Sequence, residues 1–242
     1  MDNSAHAKHH LPKLPRARCS ARQQYWGQQM QISLYYFPIS CALIPYIALT
    51  EANADFDVWT LNYANKEHLA PEYLRLNPKH KVPLLLVDGE PLTENIAILQ
   101  WIARTFPDAR LLPHGNDEFQ AISLMAWCAS GIHPFLTPNI LPQRYCDIPG
   151  SEESVRRCAQ KMLHENFRIA EDRLNQKEWF FDHFTITDVY FFWCFRRAKQ
   201  FAIDVSAYSN CNAHFDRVTH RTSVQKLLAF EAAALASDSV PS

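Results

Sequence analysis

The chain has 242 residues, 48% of them hydrophobic, so it is long and apolar enough to bury the core of one large domain or two small ones. Its formal net charge of −1 and its lack of an apolar run of about 20 residues give no indication of a nucleic-acid partner or a membrane span. The seven cysteines are irregularly spaced, form no CxxC pair and match no zinc pattern. We therefore expect free thiols, no metal and a cytoplasmic location, since the cytosol keeps thiols reduced.

Residues 1–29 differ in composition from the rest of the chain. They contain five lysines and arginines against one acid, Asp2, and few apolar residues. A segment that is basic and poorly apolar cannot bury enough surface to fold on its own. We predict a disordered basic tail over residues 1–29.

The next part of the chain, residues 30–107, mixes strand and helix patterns. Alternating, β-branched and aromatic residues predict strands at 31–37 and 55–62, and the Asp88-Gly89 pair predicts a hairpin over 82–93. Apolar residues at helical spacing predict helices from about Cys41 to Asn53, over 71–77 and over 94–106. The predicted order is strand, helix, strand, then hairpin and helix, which indicates an α/β domain.

Beyond Pro113 the pattern changes to helices alone. Helical periodicity covers 118–136, 153–176, 187–201 and 223–236. The T-x-x-D spacing of Thr185 and Asp188 predicts a capping box, which we interpret as fold architecture and not as a site. The sequence therefore predicts an α/β domain followed by an all-α domain, with the boundary near 107–116.

Three local stretches resemble a known family. The stretch "NPKHKVPLLLVDGEPLTENIAILQWI" resembles the core stretch of the glutathione S-transferase family, and "FTITDVYFF" is similar to that family's capping stretch in its helical domain. The stretches "YYFPISCALIPYIAL" and "GIHPFLTP" resemble the bacterial beta class in particular. The resemblance implies a thioredoxin-like glutathione-binding domain over 30–107 and an all-helical domain with a co-substrate pocket over 116–237.

The resemblance also implies where glutathione binds. The bond between Val82 and Pro83 precedes a strand and is a candidate for the cis form, in which the backbone groups of Val82 pair with an extended peptide. Glu94 and Asn95 stand at a helix start, where Glu94 would hold the ligand's ammonium and Asn95 its carboxylate. The family commonly has serine where this chain has Asn95, so the donor differs in kind. Lys66 and Lys81 are placed to meet the second carboxylate.

Three side chains are alternatives for the contact with the glutathione sulfur. By resemblance, Tyr36 occupies the place of the catalytic tyrosine in tyrosine-type classes, Ser40 that of the serine in serine-type classes, and Cys41 that of the beta-class cysteine. We favour Cys41, which beside a helix start is also a candidate nucleophile. His133 resembles the beta-class histidine that reaches the glutathione site, and Ser130 lies one turn before it.

These expectations together describe a cytoplasmic, homodimeric glutathione transferase with a role in detoxification. Glutathione is its co-substrate, no metal is required, and its other partner is a hydrophobic electrophile; no nucleic acid or membrane is expected. The reaction is addition of the glutathione thiolate to the electrophile or thiol exchange through Cys41. Two alternatives remain open: a glutathione-dependent reductase or lyase with a dedicated substrate, and a non-catalytic binding protein on the same fold.

Overall fold

A computed structural model describes residues 6–8 and 30–238 of the chain. The strands are β1 (His6–Lys8), β2 (Ile32–Tyr36), β3 (Asp57–Thr60), β4 (Leu84–Val87) and β5 (Glu90–Thr93). The α-helices are α1 (Leu43–Glu51), α2 (Pro71–Leu76), α3 (Asn95–Thr105), α4 (Asn116–Trp127), α5 (Glu152–Arg173), α6 (Ile186–Gln200), α7 (Ser209–Thr219) and α8 (Thr222–Asp238). The described residues divide into two compact units: those up to 106 together with those from 226 onward, and residues 107–225.

The first unit is built on a mixed sheet with the strand order β1-β3-β2-β4-β5. Strand β2 runs parallel to β3 and antiparallel to β4, and β4 pairs antiparallel with β5. At the turn between β4 and β5, Asp88 and Gly89 have φ angles of 51° and 88°, the positive values that a type I′ hairpin needs. The predicted order of strands and helices in this domain is confirmed.

Strand β2 is central and buried on both faces. Successive side chains of a strand point to opposite faces, and Leu34, Tyr35 and Tyr36 are all fully buried. Tyr35 packs in a cluster with Leu61, Tyr73 and Leu84. Helix α1, whose side chains are buried from Leu43 to Leu49, packs against β2 and α3. The loop that leads to α1 begins directly after the carboxyl end of this buried strand.

Strand β1 lies inside the segment predicted to be a disordered tail. Its residues pair in parallel with β3, from His6 opposite Asp57 to Lys8 opposite Trp59. At these three residues the structure differs from the predicted disorder, because unpaired N–H and C=O groups at the edge of a sheet can pair with an extended segment. The remainder of the tail, residues 1–5 and 9–29, lies outside the described residues, and its disorder stays a prediction.

The second unit is helical, and α6 is its centre. Every side chain from Ile186 to Phe195 is buried, as expected for a helix that is apolar on all sides. Phe167 of α5 meets the rings of Phe191 and Phe195 edge to face, with centroid distances of 6.3 and 5.3 Å. The predicted fold class, an α/β thioredoxin-like domain followed by an all-helical domain, is confirmed.

Helix α7 has no counterpart among the predicted helices. Its buried side chains are Cys211, His214 and Val218, which recur at the spacing of one helix face. Because two of the three are a cysteine and a histidine, the face does not stand out as apolar in the sequence. The helix is recognisable only from the neighbours that bury these two side chains.

Candidate active site

The loop between β2 and α1 carries Ser40 and Cys41. Ser40 Oγ donates a hydrogen bond to the carbonyl of Phe37 (2.7 Å) and accepts one from the N–H of Ala42 (3.2 Å). Serine commonly closes such a turn before a helix, because its side chain satisfies a backbone N–H that has no helical partner. The proton of the Ser40 hydroxyl is thus used within the turn itself.

Tyr36, the last residue of β2, is fully buried. Its hydroxyl donates to Oε1 of Glu231 at 2.7 Å, within the first unit. The same oxygen accepts the N–H of Ile39 at 2.6 Å. In this arrangement the Tyr36 hydroxyl already donates to a buried carboxylate. The geometry therefore favours Cys41 over Tyr36 as the residue that would contact the sulfur of a ligand.

The peptide bond between Val82 and Pro83 is cis, as expected for the proline before β4. The preceding carbonyl, that of Lys81, is held from two sides: Tyr73 Oη and Asn77 Nδ2 each donate to it at 2.6 Å. Asn77 is almost fully buried, with 1% of its surface exposed. The backbone that leads into the cis bond is therefore fixed by two buried donors, and Val82 itself remains partly exposed.

Cys41 joins three segments of the first unit. Its thiol donates to the carbonyl of Val82 at 3.5 Å, which connects the α1 loop to the residue before the cis-proline. Its carbonyl accepts a hydrogen bond from Asn95 Nδ2 at 3.3 Å, which connects the loop to the start of α3. The residues that the sequence predicts for the sulfur end, the peptide backbone and the γ-glutamyl end of glutathione are thus neighbours.

The pKa of the Cys41 thiol is high. Burial raises this pKa to about 11, and the negative charge of Glu94 adds to the increase, whereas the hydrogen bond from Asn95 and the charge of Lys81 act in the opposite direction. The residue as a whole is partly exposed, but protein atoms surround most of its sulfur. Burial therefore opposes ionisation of this thiol, because desolvation outweighs the hydrogen bonds that lower its pKa. The role of Cys41 as a nucleophile stays a prediction.

The side chain of Asn95 is turned inward. It is 7% exposed, and its Oδ1 atom has no hydrogen-bond partner among the described residues. Its Nδ2 atom, predicted to hold a ligand carboxylate, instead donates to Cys41 within the protein. As at every helix start, the first backbone N–H groups of α3 have no helical acceptor.

Glu94 precedes α3 in an unusual backbone conformation, with φ of 72° and ψ of 122°. Positive φ is rare for a residue other than glycine and is found at functional sites more often than elsewhere. The Glu94 carboxylate is exposed and forms an ion pair with Lys79. Lys79 Nζ also donates to Thr93 Oγ1 at 2.7 Å, so its ammonium bridges the end of β5 and Glu94. Glu94 thus binds an ammonium group already, which is the chemistry predicted for it.

The two lysines predicted to meet the second carboxylate differ in their surroundings. Lys81 is exposed, and its charge reaches the Cys41 thiol strongly enough to lower the pKa of that group. Lys66 is also exposed and has a left-handed backbone, with φ of 56°, before a short 3₁₀ helix at Glu67–Leu69. The charge of Lys81 thus acts on the Cys41 thiol. The predicted contact of Lys81 or Lys66 with a ligand's carboxylate stays a prediction.

Ser130 and His133 lie in the second unit, where α4 ends. The helix continues from Trp127 into a π-helical turn, Cys128–Ile132, and then into a 3₁₀ turn that begins at His133. Ser130 is exposed and donates to the carbonyl of Ala126 at 2.9 Å. The His133 ring lies edge-on to Trp193, with a centroid distance of 4.3 Å, and its Nδ1 is 3.5 Å from the Tyr190 hydroxyl. The sequence predicted one continuous helix here.

Gly131 allows this π-helical turn to pack. Trp127 Nε1 donates to Asn166 Oδ1 at 2.6 Å, directly over the glycine. A Cβ atom at Gly131 would lie 2.9 Å from Trp127 Cδ1 and 3.0 Å from Asn166 Oδ1. The π-helical turn that places His133 therefore requires a residue without a side chain at position 131. Such turns recur at functional sites.

We expect Gly131→Ala to lower the free energy of unfolding by about 1–3 kcal/mol, the usual cost of forcing extra atoms into a packed site. Urea denaturation measures this change. Ser130→Ala is the control, since Ser130 is the exposed neighbour and its loss should cost less than about 0.5 kcal/mol. Equal urea midpoints for Gly131→Ala and the wild type would contradict the close packing.

No group of three or more His, Cys, Asp or Glu side chains among the described residues is arranged to hold a metal ion. No helix in the described part of the chain is long and apolar enough to cross a membrane.

Sequence reasoning missed four residues that shape this site. Lys79 lies in the same "NPKHK" stretch as Lys81. Two lysines so close to the proline could have indicated that both contribute to the site. Tyr73 and Asn77 hold the Lys81 carbonyl, but their spacing carries no motif. Glu231 lies 195 residues beyond its partner Tyr36, and only the fold reveals the contact.

Comparisons with known proteins agree with this arrangement. Residues 30–104 match the family described as "Glutathione S-transferase, N-terminal domain". The chain is 30% identical over 205 residues to a glutathione S-transferase, GstA, of Escherichia coli O157:H7, covering 83% of this chain and 98% of the relative. It is 27% identical over 179 residues to maleylacetoacetate isomerase of Mus musculus, covering 72% and 80% of the two chains.

Solved structures show the same fold. A glutathione transferase homologue from Sulfitobacter, determined with bound glutathione, is 25% identical with a TM-score of 0.76, and the match covers 82% of this chain and 97% of that one. A bacterial beta-class glutathione S-transferase from Sphingomonas chungbukensis is 32% identical with a TM-score of 0.73, over 82% and 98% of the two chains.

A thioredoxin-like domain with a cis-proline beside a cysteine-bearing loop, followed by a helical domain, defines a class of two-domain folds. Within that class, this chain belongs to the glutathione S-transferase family.

Proposed function

We propose that this protein is a glutathione transferase of the beta-like type, which adds the glutathione thiolate to a hydrophobic electrophile. The observation that carries the proposal is the meeting of the Cys41 thiol with the carbonyl of Val82 and of the Cys41 carbonyl with Asn95. Three predicted binding segments converge on one residue. The similarity to a glutathione transferase homologue with bound glutathione supports the choice of ligand.

Each end of glutathione has a chemically matched group in this proposal. The cysteinyl backbone of the tripeptide would pair with the backbone groups of Val82 beside cis-Pro83, in the manner of a short added strand. The γ-glutamyl ammonium would bind Glu94, which already accepts the ammonium of Lys79. The adjoining carboxylate would bind the N–H groups of the first turn of α3, of which Asn95 is the first residue. Lys81 would attract the glycyl carboxylate.

Cys41 would act as a hydrogen-bond donor to the glutathione sulfur. A donor must hold its own proton while it stabilises a neighbouring thiolate, and burial keeps the pKa of Cys41 at about 11. In the structure the thiol donates to Val82, a bond that glutathione sulfur would replace. Thiol exchange through Cys41 requires its thiolate, so the same observation favours addition over exchange. Ser40 would keep the turn closed.

A glutathione-dependent isomerase or lyase with a dedicated substrate is the second candidate. The similarity to mouse maleylacetoacetate isomerase favours it. Reversible addition of a thiolate to a conjugated double bond permits rotation, and elimination then returns the thiol, so the same binding site would serve. The two candidates differ in glutathione balance: addition to an electrophile consumes glutathione, whereas isomerisation of maleylacetoacetate does not. A non-catalytic role would be indicated by binding without turnover in either assay.

The binding half of the proposal predicts that glutathione stabilises the fold. At a hundredfold excess over its dissociation constant the free energy of unfolding should rise by about 2.7 kcal/mol. Glu94→Ala should remove most of this gain, because the ligand's ammonium loses its counter-charge. Urea denaturation with and without glutathione measures both values.

Glu90→Ala is the matched control for Glu94→Ala. Glu90 is an exposed glutamate of the same hairpin, four residues earlier, and it precedes no helix. It should keep the full gain. No gain in the wild type would contradict the proposed function, and equal gains in wild type and Glu94→Ala would remove Glu94 from the site.

The same proposal includes a homodimer, as the resemblance implies. Light scattering at micromolar concentration should give twice the mass of the chain, and the mass of one chain would count against the dimer.

A further inference from the structure

The backbone of the loop that carries Cys41 is strained at Ile39. This residue has φ of 66°, in the left-handed region. For a β-branched residue that conformation is a genuine outlier, because the side chain crowds the backbone, and it persists only where the surroundings impose it. Ile39 is two residues before Cys41, so whatever holds Ile39 also determines where the thiol lies.

The group that holds Ile39 is a buried carboxylate from the other end of the chain. Glu231 of α8 is 3% exposed, and its Oε1 accepts the Ile39 N–H at 2.6 Å. The same oxygen accepts the Tyr36 hydroxyl at 2.7 Å, on the last residue of β2. One carboxylate oxygen therefore ties together the end of the central strand and the strained residue of the loop. Both distances are at the short end of the range for hydrogen bonds.

Aromatic packing brings this carboxylate to the loop. Phe230, the residue before Glu231, stacks on Tyr46 of α1 with a centroid distance of 5.4 Å and meets Tyr36 edge to face at 5.6 Å. Tyr36 and Tyr46 also contact each other, at 6.2 Å. The α8 residues thus lie against both the strand before the loop and the helix after it, and Glu231 is directed between them.

We propose that Glu231 is a positioning residue of this site: through Tyr36 and the strained Ile39, it fixes the loop that presents the Cys41 thiol. The proposal that Cys41 serves a glutathione thiolate rests on the proposed function, but the fixing of the loop does not. It also gives Tyr36 a role. This tyrosine, one of three alternatives for the sulfur contact by resemblance, instead orients the loop by donating a hydrogen bond to Glu231.

The test measures Cys41 itself, without glutathione, and then glutathione binding. Iodoacetamide alkylation of Cys41 is followed by peptide mass spectrometry, with the exposed Cys158 of the same chain as reference and the buried Cys194 as a monitor of unfolding. In Glu231→Ala we expect Cys41 to react about tenfold faster relative to Cys158, because the hydrogen bonds that join the loop at Ile39 and the end of β2 at Tyr36 are lost. Glu231→Gln keeps an acceptor oxygen of the same shape and should react like the wild type.

Phe230→Leu is the graded comparison, since it removes ring contacts that bring Glu231 to the loop but leaves the Glu231 side chain and its two hydrogen-bond partners in place. It should raise the relative rate at Cys41 by less than Glu231→Ala does. The inference is overturned if Glu231→Ala leaves that rate unchanged, if Phe230→Leu raises it as much, or if Glu231→Gln fails to restore it while Cys194 stays protected.

Glutathione binding separates this inference from the proposed function. Glu231→Ala should weaken glutathione binding about tenfold, with Glu231→Gln close to the wild type, because only a loop held in one conformation presents the thiol without an ordering cost. If the wild type fails to bind glutathione, the proposed function fails, and the alkylation rates still decide whether Glu231 fixes the loop. If the wild type binds glutathione, and Glu231→Ala has the same Cys41 alkylation rate and the same glutathione affinity as the wild type, the inference alone fails.

Discussion

Cys41 should be alkylated slowly at neutral pH, and its rate should rise about tenfold for each pH unit from pH 7 to pH 10, because only the thiolate reacts. With a pKa of about 11, the thiolate fraction at pH 8 is about 200 times smaller than that of a free thiol with a pKa near 8.5. The greater nucleophilicity of a more basic thiolate restores about tenfold of this difference. A deficit of about twentyfold at pH 8 should remain.

Iodoacetamide labelling over that pH range, compared with N-acetylcysteine in the same solutions, measures the rate. Cys41 is identified by peptide mapping, and Cys128, Cys194 and Cys211 should stay unmodified because they are buried. A rate that levels off below about pH 9 would contradict the raised pKa. It would also restore thiol exchange through Cys41 as the favoured reaction, since the thiolate would then be present at neutral pH.

The fold could be predicted from local signals, and the places where they fail have physical reasons. The Asp88-Gly89 turn, the proline before β4 and the Thr185–Asp188 box each act within a few residues, and all three are present in the structure. Helix α7 could not be predicted, because its buried face contains His214 and Cys211, whose burial depends on partners elsewhere.

The sequence indicated which segments form the candidate site. It did not indicate which atoms within these segments contact each other. Resemblance brought Cys41, Val82 and Asn95 into one proposal, and the structure places them within hydrogen-bonding distance. The ionisation state of Cys41 could not be predicted, because it depends on how far protein atoms exclude water from the sulfur. The orientation of Asn95 toward the interior likewise depends on the loop opposite, and the loop depends on Glu231.

The capping box of α6 is a larger structure than its four-residue motif indicates. Asp188 is fully buried, and its Oδ2 accepts the N–H and the hydroxyl of Thr185 at 2.8 and 3.0 Å. Its Oδ1 accepts the N–H of Phe180 at 3.1 Å and contacts Nε2 of the buried His214 at 2.9 Å. The carboxylate therefore joins the start of α6 to the preceding segment and to α7, and its loss would leave several buried polar groups without partners.

We expect Asp188→Ala to lower the free energy of unfolding by about 3–5 kcal/mol, because several buried donors lose their acceptor and each loss costs about 1–3 kcal/mol. Thr185→Ala removes only the hydroxyl that caps the helix and should cost about 1 kcal/mol, which keeps the network measurable if the first variant fails to fold. Asp172→Ala, at an exposed position of α5, is the control and should change stability by less than about 0.5 kcal/mol. Urea denaturation followed by circular dichroism gives the three values. If Asp188→Ala cost no more than Thr185→Ala, the carboxylate would act as a helix cap alone, and its bonds to Phe180 and His214 would contribute nothing to the stability of the helical unit.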